Sequence, residues 1–305
     1  MLQTVGFDSS GNSLTGRHRL RAGMNQMLQL ARLNARVAGL ALRGRWLGAG
    51  EIAAGYDAVA PTYDRVWQCH LRKATDDLLG RLPSGLSGVI LDLGSGTGYC
   101  ARHLARTNPA AQVIAVDISR EMLSRAGDAA PSNLRCVVGD MLEFVQGWEA
   151  DPPSLIVSAW ALGYSRPARL MDRCGALLSK GGLLAFIVNY RDTLAPVFKA
   201  FQRCMLRFPG QVRLAAIQRF PRDWLVLESA LAKARFHLLW RQEGRKHIAP
   251  SEGLLLPWLR QTGILAGFEG MLDLTGPASA YFEEQLAPER EAIFHHFATA
   301  IAQRI

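Results

Sequence analysis

The sequence predicts an α/β fold: a doubly wound parallel sheet with an N-terminal helical extension and a helical cap insertion. Short apolar runs alternate with stretches of helical periodicity between residues 89 and 188. The first run ends in Gly94, Gly96 and Gly98, the way a buried parallel strand feeds a ligand-binding turn. The alternation stops at Asp192, where a long basic and aromatic stretch begins.

The expected strands are Val89–Leu93, Gln112–Asp117, Leu134–Val138, Ser154–Ser158 and Gly182–Val188. Helical patterns at Cys100–Arg106, Arg120–Ala129 and Arg166–Leu178 supply right-handed crossovers between them. Upstream, Met1–Gly16 reads as a loose arm. Arg17–Gly48 holds only basic charges. At about 100° per residue, Asn25, Gln29, Arg32, Arg36 and Arg43 share one face of this stretch, with Met27, Leu30, Val37, Ala38 and Ala41 opposite and Asn34 the exception among them. That is an amphipathic basic helix, open to packing on the domain or a second subunit and to peripheral contact with a membrane. Glu51–Leu82 reads as helix broken in two by Pro61.

Downstream, Asp192–Lys246 reads as helical with interruptions at Phe208-Pro-Gly210 and Phe220-Pro-Arg222. Ser251–Thr262 reads as a helix capped by Ser251, stopped by Gly263 and kinked by Pro257. A strand is expected near Phe268–Leu274, and Pro277–Ile305 is mainly helical in pattern. The expected division is an arm and basic helix over 1–50, a core over 51–191, a helical substrate cap over 192–247, and completion of the core with a terminal helix over 248–305.

With 305 residues and 49% hydrophobic content the chain can bury one sizeable α/β domain plus an elaboration. A formal charge of +9 favours an anionic partner without choosing among nucleic acid, phosphorylated metabolite and membrane surface. The five cysteines never form C-x-x-C, and the histidines lack ligand spacing, so neither a disulfide framework nor a metal site is expected. Arginines interrupt every apolar run before it reaches the ~18 residues of a membrane span. These features fit a cytoplasmic protein, although the Arg-rich, acid-poor start imitates an organellar transit peptide.

The acids around the glycines say what the turn binds. Asp92 precedes Gly94-Ser-Gly-Thr-Gly98 near the end of the first strand, where it can accept from an ammonium group, directly or through water. A dinucleotide pyrophosphate would be repelled there. Asp117 ends the second strand, placed to accept both ribose hydroxyls of an adenosyl group. Asp140 follows the third strand, placed to accept from an adenine amino group. Each acid taken singly also fits a helix cap.

With those residues in place, the chain resembles the class I S-adenosylmethionine (SAM)-dependent methyltransferases, which share a Rossmann-like sheet. Leu91-Asp-Leu-Gly-Ser-Gly-Thr-Gly98 resembles their first motif, Val116-Asp-Ile-Ser119 their second-strand acid, and Leu178-Ser-Lys-Gly-Gly182 the turn before their fifth strand. The Tyr56-Asp and Tyr63-Asp phrase resembles the helix opening the ubiquinone/menaquinone-type enzymes and related small-molecule methyltransferases. The resemblance implies SAM as cofactor. It places Gly94, Ser95, Gly96, Gly98, Asp92, Asp117 and Ile118 at the cofactor, Asp140 and Met141 around adenine, Tyr56 or Tyr63 over the methionine end, and Ala159 at the fourth-strand tip.

Two departures fall where an acceptor would sit. The fourth strand continues as Val157-Ser-Ala-Trp-Ala-Leu-Gly-Tyr164 rather than a His-rich turn, and the stretch 192–246 exceeds a minimal member's needs. Trp160 and Tyr164 are expected to shape the acceptor pocket. His247, Tyr190 and His70 are the candidates for a general base. The expected reaction is methylation at C, O or N of a small amphiphilic, aromatic or prenyl-type acceptor. Methylation of tRNA or DNA, and a non-catalytic SAM-binding scaffold, are the alternatives. Against nucleic acid, Asp151-Pro-Pro-Ser154 precedes the fourth strand, ends in serine and lacks the stacking aromatic.

Overall fold

The computed structural model describes residues 16–127, 130–216 and 219–305, with side chains from residue 27 onward. The expected arm over Met1–Gly16 falls outside this range as far as Thr15. Helix α1 (Gly16–Leu42) precedes α2 (Ala49–Tyr63), a π-helical turn (Asp64–Gln68) and α3 (Cys69–Leu79). The alternating core follows: β1 (Gly88–Leu93), α4 (Tyr99–Thr107), β2 (Ala111–Asp117), α5 (Arg120–Gly127), β3 (Leu134–Val138), α6 (Met141–Gln146), β4 (Leu155–Ala159), α7 (Pro167–Leu177) and β5 (Leu183–Asn189). Then come α8 (Ala195–Arg207), α9 (Trp224–Lys233), β6 (Phe236–His247), α10 (Leu255–Leu259), α11 (Pro277–Leu286) and β7 (Phe294–Arg304).

The seven strands run β3-β2-β1-β4-β5-β7-β6. The first five are parallel, and β7 enters antiparallel between β5 and β6. The order reverses at β1, so the glycine turn sits at the switch point, where a crevice opens outside the strand ends. Alternate residues of β1 serve opposite faces: Leu91 and Leu93 join one core cluster and Ile90 the other.

Five expectations need correction. Pro61 does not break α2, which runs on to Tyr63 before widening into the π turn. The expected cap is helical only as far as Lys233, because Phe236–His247 is the edge strand β6. Its eleven-register pairing with β7 overrides a charged, weakly alternating sequence. The alanine-rich end of the chain, expected as terminal helix, is β7, which is buried along most of its length. Over 251–274 only Leu255–Leu259 is regular α-helix, beginning after Leu254, and Gly263 opens a 3-10 turn instead of ending a helix. The strand expected near Phe268–Leu274 reduces to one bridge, Val212 to Leu272.

Helix α1 is also turned differently from the expected faces. Leu33, Val37 and Leu40 pack on the cluster beneath α8, while Met27 and Leu30 stay exposed. No described helix is long and apolar enough to cross a membrane.

Candidate functional site

A cavity of about 610 Å³ lies over the ends of β1, β2 and β4. Of the residues expected at the cofactor, it collects Tyr56, Tyr63, Gly94, Gly96, Asp117, Ile118, Asp140, Met141 and Ala159. Trp160 and Tyr164, expected at the acceptor, line it too. Asp92, Ser95 and Gly98 do not.

The turn after β1 shows why glycine recurs. Gly94 has φ +72, and a Cβ there would lie 2.1 Å from the Ala161 Cβ. Gly98 has φ +77 and stands at the start of α4, where a Cβ would meet Ala126 at 2.6 Å. Gly96 has φ +55, but a Cβ on it would meet nothing within 4 Å. Two of these glycines serve packing of the chain on itself, and Gly96 keeps cavity space open.

The three acids take different roles. Asp117 accepts from the Gly96 amide at 2.8 Å and the Ser119 amide at 2.9 Å. Burial pushes its pKa up while those amides pull it down. Asp140 caps α6, its Oδ1 accepting from the Leu142 and Glu143 amides. Asp92 is 1% exposed, and its Oδ2 has no partner. Burial raises its pKa to about 7. It therefore stands behind the turn as an internal group.

The doubled Tyr-Asp phrase resolves into two tasks. Tyr56 and Tyr63, one helical stretch of seven apart, face the cavity with ring centroids 6.3 Å apart, and Tyr164 closes on Tyr56 at 5.7 Å. Burial raises all three phenols, so they stay protonated. The aspartates pin the helix to the sheet loops: Asp57 accepts from Ser119 Oγ at 2.5 Å, and Asp64 from Thr97 Oγ1 at 2.6 Å.

Beyond the tyrosines the cavity becomes aromatic, with Trp67, Trp160, Phe198, Phe201, Phe220 and Phe268 on its walls and Arg166 and Arg219 as its cations. Trp160 adopts φ 68, a conformation non-glycine residues avoid. It is held there by its amide donating to Ile187 O at 2.8 Å and its indole Nε1 donating to buried Thr75 Oγ1 at 3.0 Å.

None of the three expected acid-base residues lines this cavity. His247, at the end of β6, lies 3.2 Å from the Arg290 carbonyl oxygen. Tyr190 is buried in the core against the His296 ring. His70 faces a neighbouring cavity of about 340 Å³, and its pKa is lowered by burial and by Lys246.

Among the described residues, the histidine that does reach the cavity is His295, which is absent from the sequence-based candidates. It belongs to the walls of both cavities, between the rings of Trp67 at 5.1 Å and Trp160 at 5.6 Å. Its Nδ1 lies 2.8 Å from Asn189 Oδ1, which makes Nδ1 the protonated nitrogen, and Nε2 has no partner. Burial, with His70 and Lys246 nearby, lowers its pKa to about 3. The only sequence signal was the pair His295-His296. On a strand, neighbours point to opposite faces, and His296 instead meets Asp192 at 2.8 Å.

Comparison with known proteins bears on the family and the fold. Residues 90–182 match the family described as "Methyltransferase domain". The chain is 29% identical to a trans-aconitate 2-methyltransferase of Azoarcus sp. (strain BH72), over 68% of this chain and 80% of that protein. It is also 29% identical to a malonyl-[acyl-carrier protein] O-methyltransferase of Neorickettsia risticii (strain Illinois), over 56% of this chain and 70% of that one. Among solved structures, the fold is shared with a Haloferax volcanii complex of the Trm112 methyltransferase activator and a putative methyltransferase. The TM-score is 0.52 at 19% identity, covering 83% of this chain and 97% of the other. The [4+2]-cyclase SpnF matches equally, with a TM-score of 0.52 at 19% identity, covering 83% and 94%.

Proposed function

We propose that this chain, which belongs to the class I SAM-dependent methyltransferases, methylates a small amphiphilic acceptor with an acidic head and an apolar or aromatic body. The observation that carries the reading is the continuity of one cavity from Gly96 and Asp117 to an aromatic chamber edged by two arginines. The two relatives above are named for trans-aconitate and for malonyl-[acyl-carrier protein], acceptors that both carry carboxylates, which supports an acidic head.

SAM, when bound, supplies an electrophilic methyl group on a sulfonium. The cofactor end fits it: Gly96 leaves room that a side chain would fill, Asp117 offers a half-buried carboxylate to ribose hydroxyls, and Asp140 offers its second oxygen to an adenine amine. Tyr56 and Tyr63 remain donors over the methionine end. At the far end, Trp67, Trp160 and the phenylalanines of the 192–235 stretch exclude water and hold the acceptor's body, while Arg166 and Arg219 draw its anionic group. His295, neutral with Nε2 left to accept, positions a hydroxyl of the acceptor. Catalysis then consists chiefly of alignment and desolvation by these residues.

The test is transfer of labelled methyl from SAM to a panel of carboxylic acids, prenyl phosphates, phenols, quinones, amines and tRNA. Methylation of acidic amphiphiles is expected. Transfer confined to tRNA, or to amines without an acidic group, overturns the reading.

A further inference from the structure

Helix α1 carries three faces where an ordinary surface helix carries two. Leu33, Val37 and Leu40 bury it against the body of the protein, and Arg36 Nε anchors it to the Val212 carbonyl at 2.9 Å. A second strip holds Arg32 and Arg36, with Arg43 in the turn just past the helix end, all exposed. At about 100° per residue, the remaining arc collects Met27, Leu28, Leu30 and Leu42, with Ala31, Ala35 and Ala38 between them and Asn34 as the one polar side chain among the residues whose side chains are described. All of these are exposed, Met27 at 73% and Leu42 at 88%. Water gains nothing from such an arc, and a helix already seated on the protein by its other side has no internal use for it.

We infer that this arc docks on the surface of an anionic lipid bilayer. The charge pattern selects that occupant: no acidic residue stands between Asp8 and Glu51, whereas arginines border the apolar arc. Guanidinium groups on long stems beside buried leucines match phosphate headgroups above acyl chains. A second copy of the chain would bring arginine against arginine. The position fits as well, because the chain leaving α1 passes the half-exposed Trp46, pairs with Ala215 and enters the wall of the large cavity at Leu47 and Ile52. The docked face therefore adjoins the cavity through which an amphiphilic acceptor would enter. The docking itself does not depend on the identity of that acceptor.

Flotation of the full chain with vesicles tests this, using phosphatidylcholine alone or mixed with phosphatidylglycerol. The wild type is expected to float with the anionic vesicles, and less so as salt rises. Replacing Met27, Leu28, Leu30 and Leu42 together by glutamine should cut the bound fraction roughly tenfold or more. Arg43→Glu should cut it about fivefold at low salt. Circular dichroism and SAM affinity, read on the same variants, should stay unchanged, since none of these residues touches the cofactor end. Failure of the wild type to float, or undiminished flotation of the glutamine variant, overturns the inference. So does a wild-type dimer in light scattering that the glutamine variant abolishes while neither form binds vesicles, an outcome that assigns the arc to self-association.

Discussion

The backbone amide of Gly96 donates to Oδ2 of Asp117 at 2.8 Å, tying the turn after β1 to the tip of β2 across 21 residues of sequence. The carboxylate is thereby aimed before any ligand arrives. Asp117→Ala is expected to weaken SAM binding by about 1–3 kcal/mol, roughly 5- to 150-fold in Kd, because ribose hydroxyls lose their acceptor. Calorimetric titration checks this, and unchanged affinity would sink the assignment.

The glycines of that turn should separate by substitution. Gly94→Ala forces a Cβ to within 2.1 Å of the Ala161 Cβ, and should destabilise the fold by about 1–3 kcal/mol. Gly96→Ala meets open space, so it should cost the fold only the left-handed strain of about 1 kcal/mol while measurably weakening SAM. Thermal melts with and without SAM distinguish the two. Equal effects on both readouts contradict the division between packing and cofactor space.

Asp92 offers a pH test on the ligand-free protein. Its folded pKa, raised to about 7, exceeds the ordinary 3.8, so the fold holds a proton that the unfolded chain has lost. The stability tied to this group is complete below about pH 4 and is lost as pH climbs to 7. Asp92→Asn escapes that loss. Its Tm relative to wild type should therefore rise between pH 4 and pH 8, and a constant difference refutes the internal, raised carboxyl.

His295 has the opposite sign. Its folded pKa of about 3 lies below the ordinary 6.5, so its stabilising share is present above pH 6.5 and is lost as pH falls towards 3. His295→Phe should lose less Tm than wild type between pH 7 and pH 4. Nitrogen-15 spectra of the wild type should show one neutral tautomer, protonated at Nδ1, across that range. Titration near pH 6.5 would contradict the burial argument.

The arginines at the chamber edge test the acidic head. Arg219→Ala or Arg166→Ala should raise KM for an acidic acceptor roughly tenfold, through a lost charge-assisted contact, with little change in SAM affinity. A neutral isostere of the acceptor should be indifferent to both changes.

The strand-end side of the cavity, proposed for the cofactor, was legible because it is local: glycines that must tolerate positive φ and acids at strand tips follow strands whose apolar runs announce themselves. Even so, Asp92 changed its part. Its place before the glycines was readable, but its burial behind them depends on α4 folding over β1. The Tyr-Asp phrase was legible as a pair and not as two tasks, because Ser119 and Thr97, which the aspartates hold, arrive from other elements.

The acceptor end was less legible. His247, Tyr190 and His70 drew attention by position along the chain, while the histidine that reaches the cavity meets Asn189 across 106 residues. That meeting exists only because an alanine-rich terminus pairs antiparallel with β5. By itself, the sequence of this protein determined the five parallel strands, the glycine turn and the acids at the strand tips, since periodicity and backbone freedom are properties of neighbouring residues. The tertiary structure alone decided that β6 and β7 are strands, that His295 stands between Trp67 and Trp160, and that an apolar arc of α1 faces outward. Those outcomes rest on which distant surfaces bury one another, and no local spacing encodes that.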